Sequence, residues 1–292
     1  MRTAARAPIP RPKDAVIALG VLVIALAAGC GGSGSAEPDH EATTTSQTSM
    51  SRDAMSEATI DGTFAVGADA HQLAMKCYGE GSPAIVLEVG TDSSGIEDFP
   101  VSFLRPLAGQ HMTCVYDRVG TSQGGRCRTP GMCSDRPTVD RRTIDEVATD
   151  LEGLLDAAAV PAPYVLVGSS GGGLVAAQFA ATHPDKVAGL VLLDVGVPNP
   201  DLAEEFPGEM GWRNPEHVDW VDAELRLSTL EMPVGDFPVL IVVSDESDTP
   251  DQSFWLELSP RATQIVMHGG HDIYEDDPDG VAEQILATVA RR

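Results

Sequence analysis

The chain has 292 residues, with 19 Lys and Arg against 44 Asp and Glu, a formal net charge of −25. A surface that binds phosphates needs clustered Lys and Arg, so nucleic acid is excluded as an expected partner and the charge reads as a solubilising acidic surface. Beyond the N-terminal segments described next, the length suits one domain with a sizeable core, and no internal repeat is visible.

The chain opens with a basic stretch, Arg2, Arg6, Arg11 and Lys13, followed by an apolar and small-residue run over 15–28. That run is short of the roughly 20 residues a membrane span needs and fits the apolar core of a secretory signal. It ends Leu26-Ala27-Ala28-Gly29-Cys30, which resembles the cleavage box of bacterial lipoproteins, with Leu26 one place earlier than usual. The expectation is a lipoprotein signal peptide over 1–29, with Cys30 acylated (a palmitate-type modification) as the first mature residue. The alternatives are an ordinary secretory signal or an uncleaved anchor. Residues 30–58 are rich in Gly, Ser, Thr and acidic residues. They bury too little surface to offset ordering entropy and read as a flexible tether. The domain is expected over 59–292, on the extracytoplasmic face of the cell membrane, lipid-anchored, or secreted if Cys30 is not acylated.

Within it, short Val/Ile/Leu-rich strands are predicted at 72–77, 84–89, 113–116, 164–167, 187–193, 239–243 and 264–267. Such runs suit strands buried on both faces of a parallel sheet. Helices are predicted over 143–159, 174–182 and 280–290. The first carries Ile144, Val147, Leu151, Leu154 and Leu155 on one face, with a capping-box pattern at Thr143 and Glu146. This alternation predicts an α/β fold with a mostly parallel sheet and helices on both faces. The rhythm breaks over about 198–233, a stretch with Trp212, Trp220 and several prolines, which reads as a lid insertion; a plain surface excursion is the alternative. Apart from Cys30, four cysteines remain: Cys77, Cys114, Cys127 and Cys133. An even number in an exported chain suggests two disulfides, with three possible connectivities. Cys127 and Cys133 bracket Pro130-Gly131 and would close a small loop. No CxxC zinc pattern occurs.

The strand at 164–167 runs directly into Gly168-Ser169-Ser170-Gly171-Gly172-Gly173 and then into a helix. A serine hydroxyl is a weak nucleophile unless it is held exposed beside a base. A sharp strand-to-helix turn does this, and it aims the Gly171 N–H, at a helix start, toward a developing oxyanion. Ser170 is therefore the candidate nucleophile.

Around this turn the chain resembles the α/β-hydrolase superfamily over about 60–292. Leu87-Glu88-Val89-Gly90-Thr91 is similar to the loop after the third strand, and Val115-Tyr116-Asp117-Arg118-Val119-Gly120 to the segment after the fourth. Thr182-His183-Pro184-Asp185-Lys186-Val187, leading to Leu190-Val191-Leu192-Leu193-Asp194, is similar to the passage after the nucleophile. Gly269-Gly270-His271 is similar to the catalytic-histidine loop. The resemblance implies the order Ser, acid, His, with His271 as base and His268 as a rival. His183 reads as structural, and His71, His111 and His217 as surface or core. For the acid, the loop Ser244-Asp245-Glu246-Ser247-Asp248 departs from the family spacing. Asp248 is preferred over Asp245, and Asp194 is the third choice. The implied oxyanion donors are the amides of Thr91 and Gly171, with Gly90 as alternative to Thr91. Because the second and fourth strands are neighbours in this superfamily, the resemblance also implies a Cys77–Cys114 disulfide.

The resulting expectation is a serine hydrolase that cleaves a carboxylic ester through an acyl-enzyme, with a small-molecule ester or amide substrate and neither metal nor organic cofactor. An aminopeptidase-type serine peptidase is the first alternative. The second is a surface lipoprotein that binds a ligand without catalysis.

Overall fold

Eight strands form one sheet among the described residues: β1 (Ile60–Val66), β2 (His71–Tyr78), β3 (Ala84–Glu88), β4 (Thr113–Tyr116), β5 (Tyr164–Ser169), β6 (Val187–Leu193), β7 (Val239–Ser244) and β8 (Ala262–Met267). Their order is β1-β2-β4-β3-β5-β6-β7-β8; β1 with β2 and β2 with β4 run antiparallel, and every other pair is parallel. The computed structural model describes residues 55, 57–121, 134, 141–199, 201–247 and 251–291, all within one compact unit, Ser49–Arg292. The expected leader at 1–29, Cys30, nearly all of the tether at 30–58, Cys127, Cys133 and Asp248 lie outside these residues.

Two layers of helix cover the sheet. They are α1 (Gly95–Asp98), α2 (Val101–Ala108), α3 (Ile144–Ala157), α4 (Gly171–Thr182), α5 (Leu202–Glu205), α6 (Trp220–Leu227), α7 (Ser253–Leu256), α8 (Ile273–Asp276) and α9 (Pro278–Val289). Alternation along the central strands divides the core. Val86, Leu166 and Leu192 pack toward α3 and α4, while Ile85, Leu87, Val165 and Val167 pack toward α2 and α9. Each fully buried side chain of this size contributes about 1.5–3 kcal/mol. In α4 every residue from Gly172 to Ala180 is buried, as its apolar composition demands. The capping box at Thr143 and Glu146 is present: the Glu146 amide donates to Thr143 Oγ1 and the Thr143 amide to Glu146 Oε2.

The sequence pattern does not announce β1 or the helices α1, α2 and α5 to α8, and two of these show why. β1 is a half-buried edge strand containing Gly62, and Pro106 lies inside α2, where the pattern of a helix is normally free of proline. Cys77 and Cys114 face each other in the β2–β4 register with Cα atoms 4.0 Å apart and are joined by a disulfide, as the family resemblance implied.

Candidate active site

At the turn between β5 and α4 the backbone passes sharply through Ser170, which has φ 51° and ψ −130°. A non-glycine residue held there costs about 1–3 kcal/mol, and surrounding hydrogen bonds must enforce it. The Ser170 amide donates to Leu193 O at 3.1 Å, and the Gly173 amide donates to Ser170 O at 2.9 Å. The turn also requires glycine at 172: a Cβ there would lie 2.4 Å from both Glu88 O and Val89 O. This close approach brings the start of α4 against the loop that follows β3.

His271 stands in the loop after β8. The loop is tied down by the Gly270 amide donating to Asp276 Oδ2 at 2.7 Å, and by Ser244 Oγ donating to Gly269 O. Its Nδ1 lies 2.8 Å from Asp194 Oδ2. Asp194 sits just past β6 with φ 45°; its side chain is buried, and its Oδ1 accepts from the Ser244 amide at 3.1 Å. The carboxylate on His271 is thus the third-ranked of the three sequence candidates. The preferred Asp248 lies outside the described residues. Asp245 turns to the rival histidine: His268 Nδ1 is 2.9 Å from Asp245 Oδ2. That exposed pair holds the Asp245 carboxyl below its ordinary range, chiefly through the His268 hydrogen bond, and raises His268. The physical reason that Asp194 meets His271 is sheet order. β6 lies directly beside β5, and its parallel register with β7 lets Asp194 reach the Ser244 amide and the loop after β8 together.

The loop after β3 abuts the turn at Ser170. A Cβ on Gly90 would lie 3.5 Å from Ser170 Cβ, and a Cβ on Gly171 would lie 3.6 Å from Thr91 N. Beneath this loop is a buried ionic cluster. The Arg118 guanidinium donates through Nε to Glu216 Oε2 at 2.6 Å and through Nη2 to Glu216 Oε1 at 2.9 Å. It also donates from Nη1 to Val89 O at 2.7 Å, from Nη2 to Gly90 O at 2.6 Å, and from Nη1 to Glu88 Oε2 at 3.3 Å. Tyr116 Oη donates to Glu88 Oε1 at 2.6 Å, and the Asp92 amide donates to Glu216 Oε1 at 2.6 Å. Burial pushes the Glu88 carboxyl up to about 7. Burial works against charge on Arg118 as well, but the Glu216 and Glu88 carboxylates outweigh it and keep the guanidinium protonated. Glu216 carries no motif by which sequence reasoning could single it out.

Ser170, His271, Asp194, Thr91 and Gly171 share one cavity of about 460 Å³, further lined by Leu174, Gly196, Trp220, Glu224, Glu246 and Ser247. Trp220 and Glu224, one turn apart on α6, bring the segment expected as a lid to the cavity wall. Burial raises the Glu224 carboxyl, tempered by the Asn199 amide bonded to it. The other two tryptophans do not line the cavity: Trp255 is fully buried behind it, its Nε1 donating to Gly196 O at 3.2 Å, and Trp212 lines a separate depression with Phe206 and Leu225. Among the remaining histidines, His71 is buried between Asp69 and Asp150, at 2.7 and 3.1 Å. His183 contacts Glu152 and the Phe179 ring, and His111 Nδ1 lies 3.1 Å from Pro83 O. His217 lies 6.2 Å from the Trp212 ring. Among the described residues no three His, Cys, Asp or Glu side chains converge to hold a metal ion.

A six-strand parallel run flanked by helices, with a strained serine between strand and helix and a histidine–aspartate pair at the same sheet ends, defines the α/β-hydrolase fold. The family model described as the alpha/beta hydrolase fold matches residues 85–226, and the chain has that fold. It is similar to the uncharacterized protein YqjL of Bacillus subtilis, with 24% identity over 217 residues, 68% of this chain and 81% of that one. It is 36% identical to the lipase LipV of Mycobacterium tuberculosis over 104 residues, which span 36% of this chain and 40% of LipV. Among solved structures it resembles a thermophilic esterase from Thermogutta terrifontis, with TM-score 0.58 and 18% identity, covering 80% of this chain and 98% of the esterase.

Proposed function

We propose that the protein is a serine hydrolase that cleaves a carboxylic ester through an acyl-enzyme. The observation that carries this reading is the strained Ser170 sharing a cavity with a histidine whose far nitrogen is held by a buried carboxylate. With Asp194 accepting the proton on His271 Nδ1, Nε2 is left free to take the Ser170 hydroxyl proton. Ser170 Oγ then attacks the ester carbonyl, and the oxyanion is received by the Thr91 and Gly171 amides. His271 returns the proton to the departing alkoxide. A water, deprotonated by His271, next releases the acid and restores Ser170. The lipase and esterase similarities support an ester as the bond broken.

Labelling with a fluorophosphonate tests the mechanism. Wild type is expected to label and hydrolyse p-nitrophenyl acyl esters, and Ser170→Ala to do neither. A folded wild type that neither labels nor turns over these esters would favour the non-catalytic binding alternative.

The same reading includes export and a lipid anchor at Cys30 on the extracytoplasmic face, supported by the composition of residues 1–30. Cys30→Ala is expected to shift the protein from the detergent phase to the aqueous phase of a Triton X-114 partition. An unchanged partition sinks the anchor. A second reading, an aminopeptidase-type peptidase, draws on Glu224 and Glu246 at the cavity wall, which suit a free α-ammonium group. Aminoacyl p-nitroanilides assayed beside the acyl esters separate the two.

A further inference from the structure

The peptide unit that joins Gly90 to Thr91 is held from its carbonyl end. Arg118 Nη2 donates to Gly90 O at 2.6 Å. A trans peptide is planar, with its C=O and N–H directed oppositely. Fixing the carbonyl on the guanidinium therefore fixes where the Thr91 N–H points, on the side of the loop that meets Ser170 and Gly171. A cation on the carbonyl oxygen also polarises the amide and strengthens its N–H as a donor. The next peptide is held as well, because the Asp92 amide donates to Glu216 Oε1 at 2.6 Å. Glu216 in turn grips Arg118 through two hydrogen bonds, and both side chains are buried. Glu216 belongs to the 198–233 segment, just before α6, which carries Trp220 and Glu224 to the cavity.

We infer that Arg118 and Glu216 are positioning residues that aim and polarise the Thr91 amide, so that the segment forming the cavity wall and the oxyanion donor are set by one hydrogen-bonded unit. This rests on the proposed hydrolase reading, in which Thr91 N–H receives the oxyanion. Neither side chain touches the substrate, so the effect of removing them should appear in the transition state and not in substrate binding.

The test uses the full chain, with Glu216→Gln and Arg118→Lys as variants and p-nitrophenyl butyrate as substrate. Losing one oxyanion donor outright costs about 100- to 1000-fold in kcat, so a misaimed donor is expected to cost about 10- to 100-fold. KM should stay within about twofold of wild type. A purely structural role would not produce a second signature. An alkyl boronic acid, which becomes a tetrahedral anion on Ser170, should lose affinity in proportion to kcat/KM across the series. A neutral ketone of the same chain length that binds as a ground-state competitor should keep its affinity. Equal losses for boronate and competitor, or wild-type kcat in folded variants, would overturn the positioning role while leaving the hydrolase intact. Failure of both variants to fold would also overturn it, since the cluster would then act on the fold alone. If instead wild type fails to label with fluorophosphonate, it is the hydrolase reading that fails.

Discussion

Replacing Asp194 by Asn tests which carboxylate serves His271, and the structure sets the size of the effect. Asp194 accepts two hydrogen bonds, from the Ser244 amide through Oδ1 at 3.1 Å and from His271 Nδ1 through Oδ2 at 2.8 Å. An asparagine has one carbonyl oxygen for these two positions. If that oxygen stays on Ser244, the new NH2 donates to His271 Nδ1 and forces the proton onto Nε2. Nε2 then cannot take the Ser170 proton. If the oxygen turns to His271, the NH2 faces the Ser244 N–H, two buried donors are opposed, and the arrangement costs about 1–3 kcal/mol. The unproductive tautomer therefore dominates. The equivalent exchange in a serine protease lowers kcat by about 10⁴, so a loss of about 10³–10⁴ is expected here, roughly 4–5.5 kcal/mol in the barrier. The assay is kcat/KM for p-nitrophenyl butyrate, with circular dichroism as the check on folding. Asp245→Asn and Asp248→Asn are expected to remain within about threefold of wild type. An Asp194→Asn enzyme keeping a tenth of wild-type activity, or an Asp248→Asn enzyme losing a thousandfold, would refute the reasoning.

Three further outcomes concern stability. The Cys77–Cys114 bond spans 37 residues, and removing it by Cys77→Ala with Cys114→Ala should lower unfolding free energy by about 4 kcal/mol from loop-closure entropy; urea midpoints measure this, and an unchanged midpoint contradicts it. Gly172→Ala brings a Cβ against the fixed carbonyls of Glu88 and Val89, so a loss of about 1–3 kcal/mol is expected, together with loss of the proposed ester hydrolysis as the turn is pushed from the loop after β3. Glu88 binds its proton more tightly folded, at about 7, than unfolded, at the ordinary carboxyl value of 4.5. Its contribution to stability is therefore complete below about pH 4.5 and is lost as pH rises through about 7. The stability difference between wild type and Glu88→Gln should fall by up to about 3 kcal/mol between pH 5 and pH 8; urea titrations at both pH values check the sign, and a constant difference rules out titration of Glu88 in that window.

The central strands were legible from the sequence because they are buried on both faces and so read as short runs dominated by Val, Ile and Leu; the expected 187–193 matches β6 residue for residue. Ser170 was legible for a local reason as well. A strand, a glycine-flanked serine and an apolar helix are consecutive in the chain, and their meeting dictates a sharp turn whatever surrounds it. His271 could be singled out through the similarity of its loop to the family. Edge strand β1 and helix α2 were not legible, since β1 is only half buried and α2 contains a proline.

The partner of His271 and the support of the loop after β3 belong to tertiary structure. Asp194 and His271 are 77 residues apart, and Arg118 and Glu216 are 98. The family resemblance points to the loop after β7, yet the carboxylate on His271 comes from the end of β6, because sheet order and register decide which strand end lies within hydrogen-bonding reach of the histidine loop. Glu216 has no pattern around it, and its importance arises only when folding buries it against Arg118 and the Asp92 amide. Local sequence determines what a turn or strand does to its own neighbours. Which distant charges meet in a low-dielectric interior, where each must find a partner, is fixed only once the sheet has assembled.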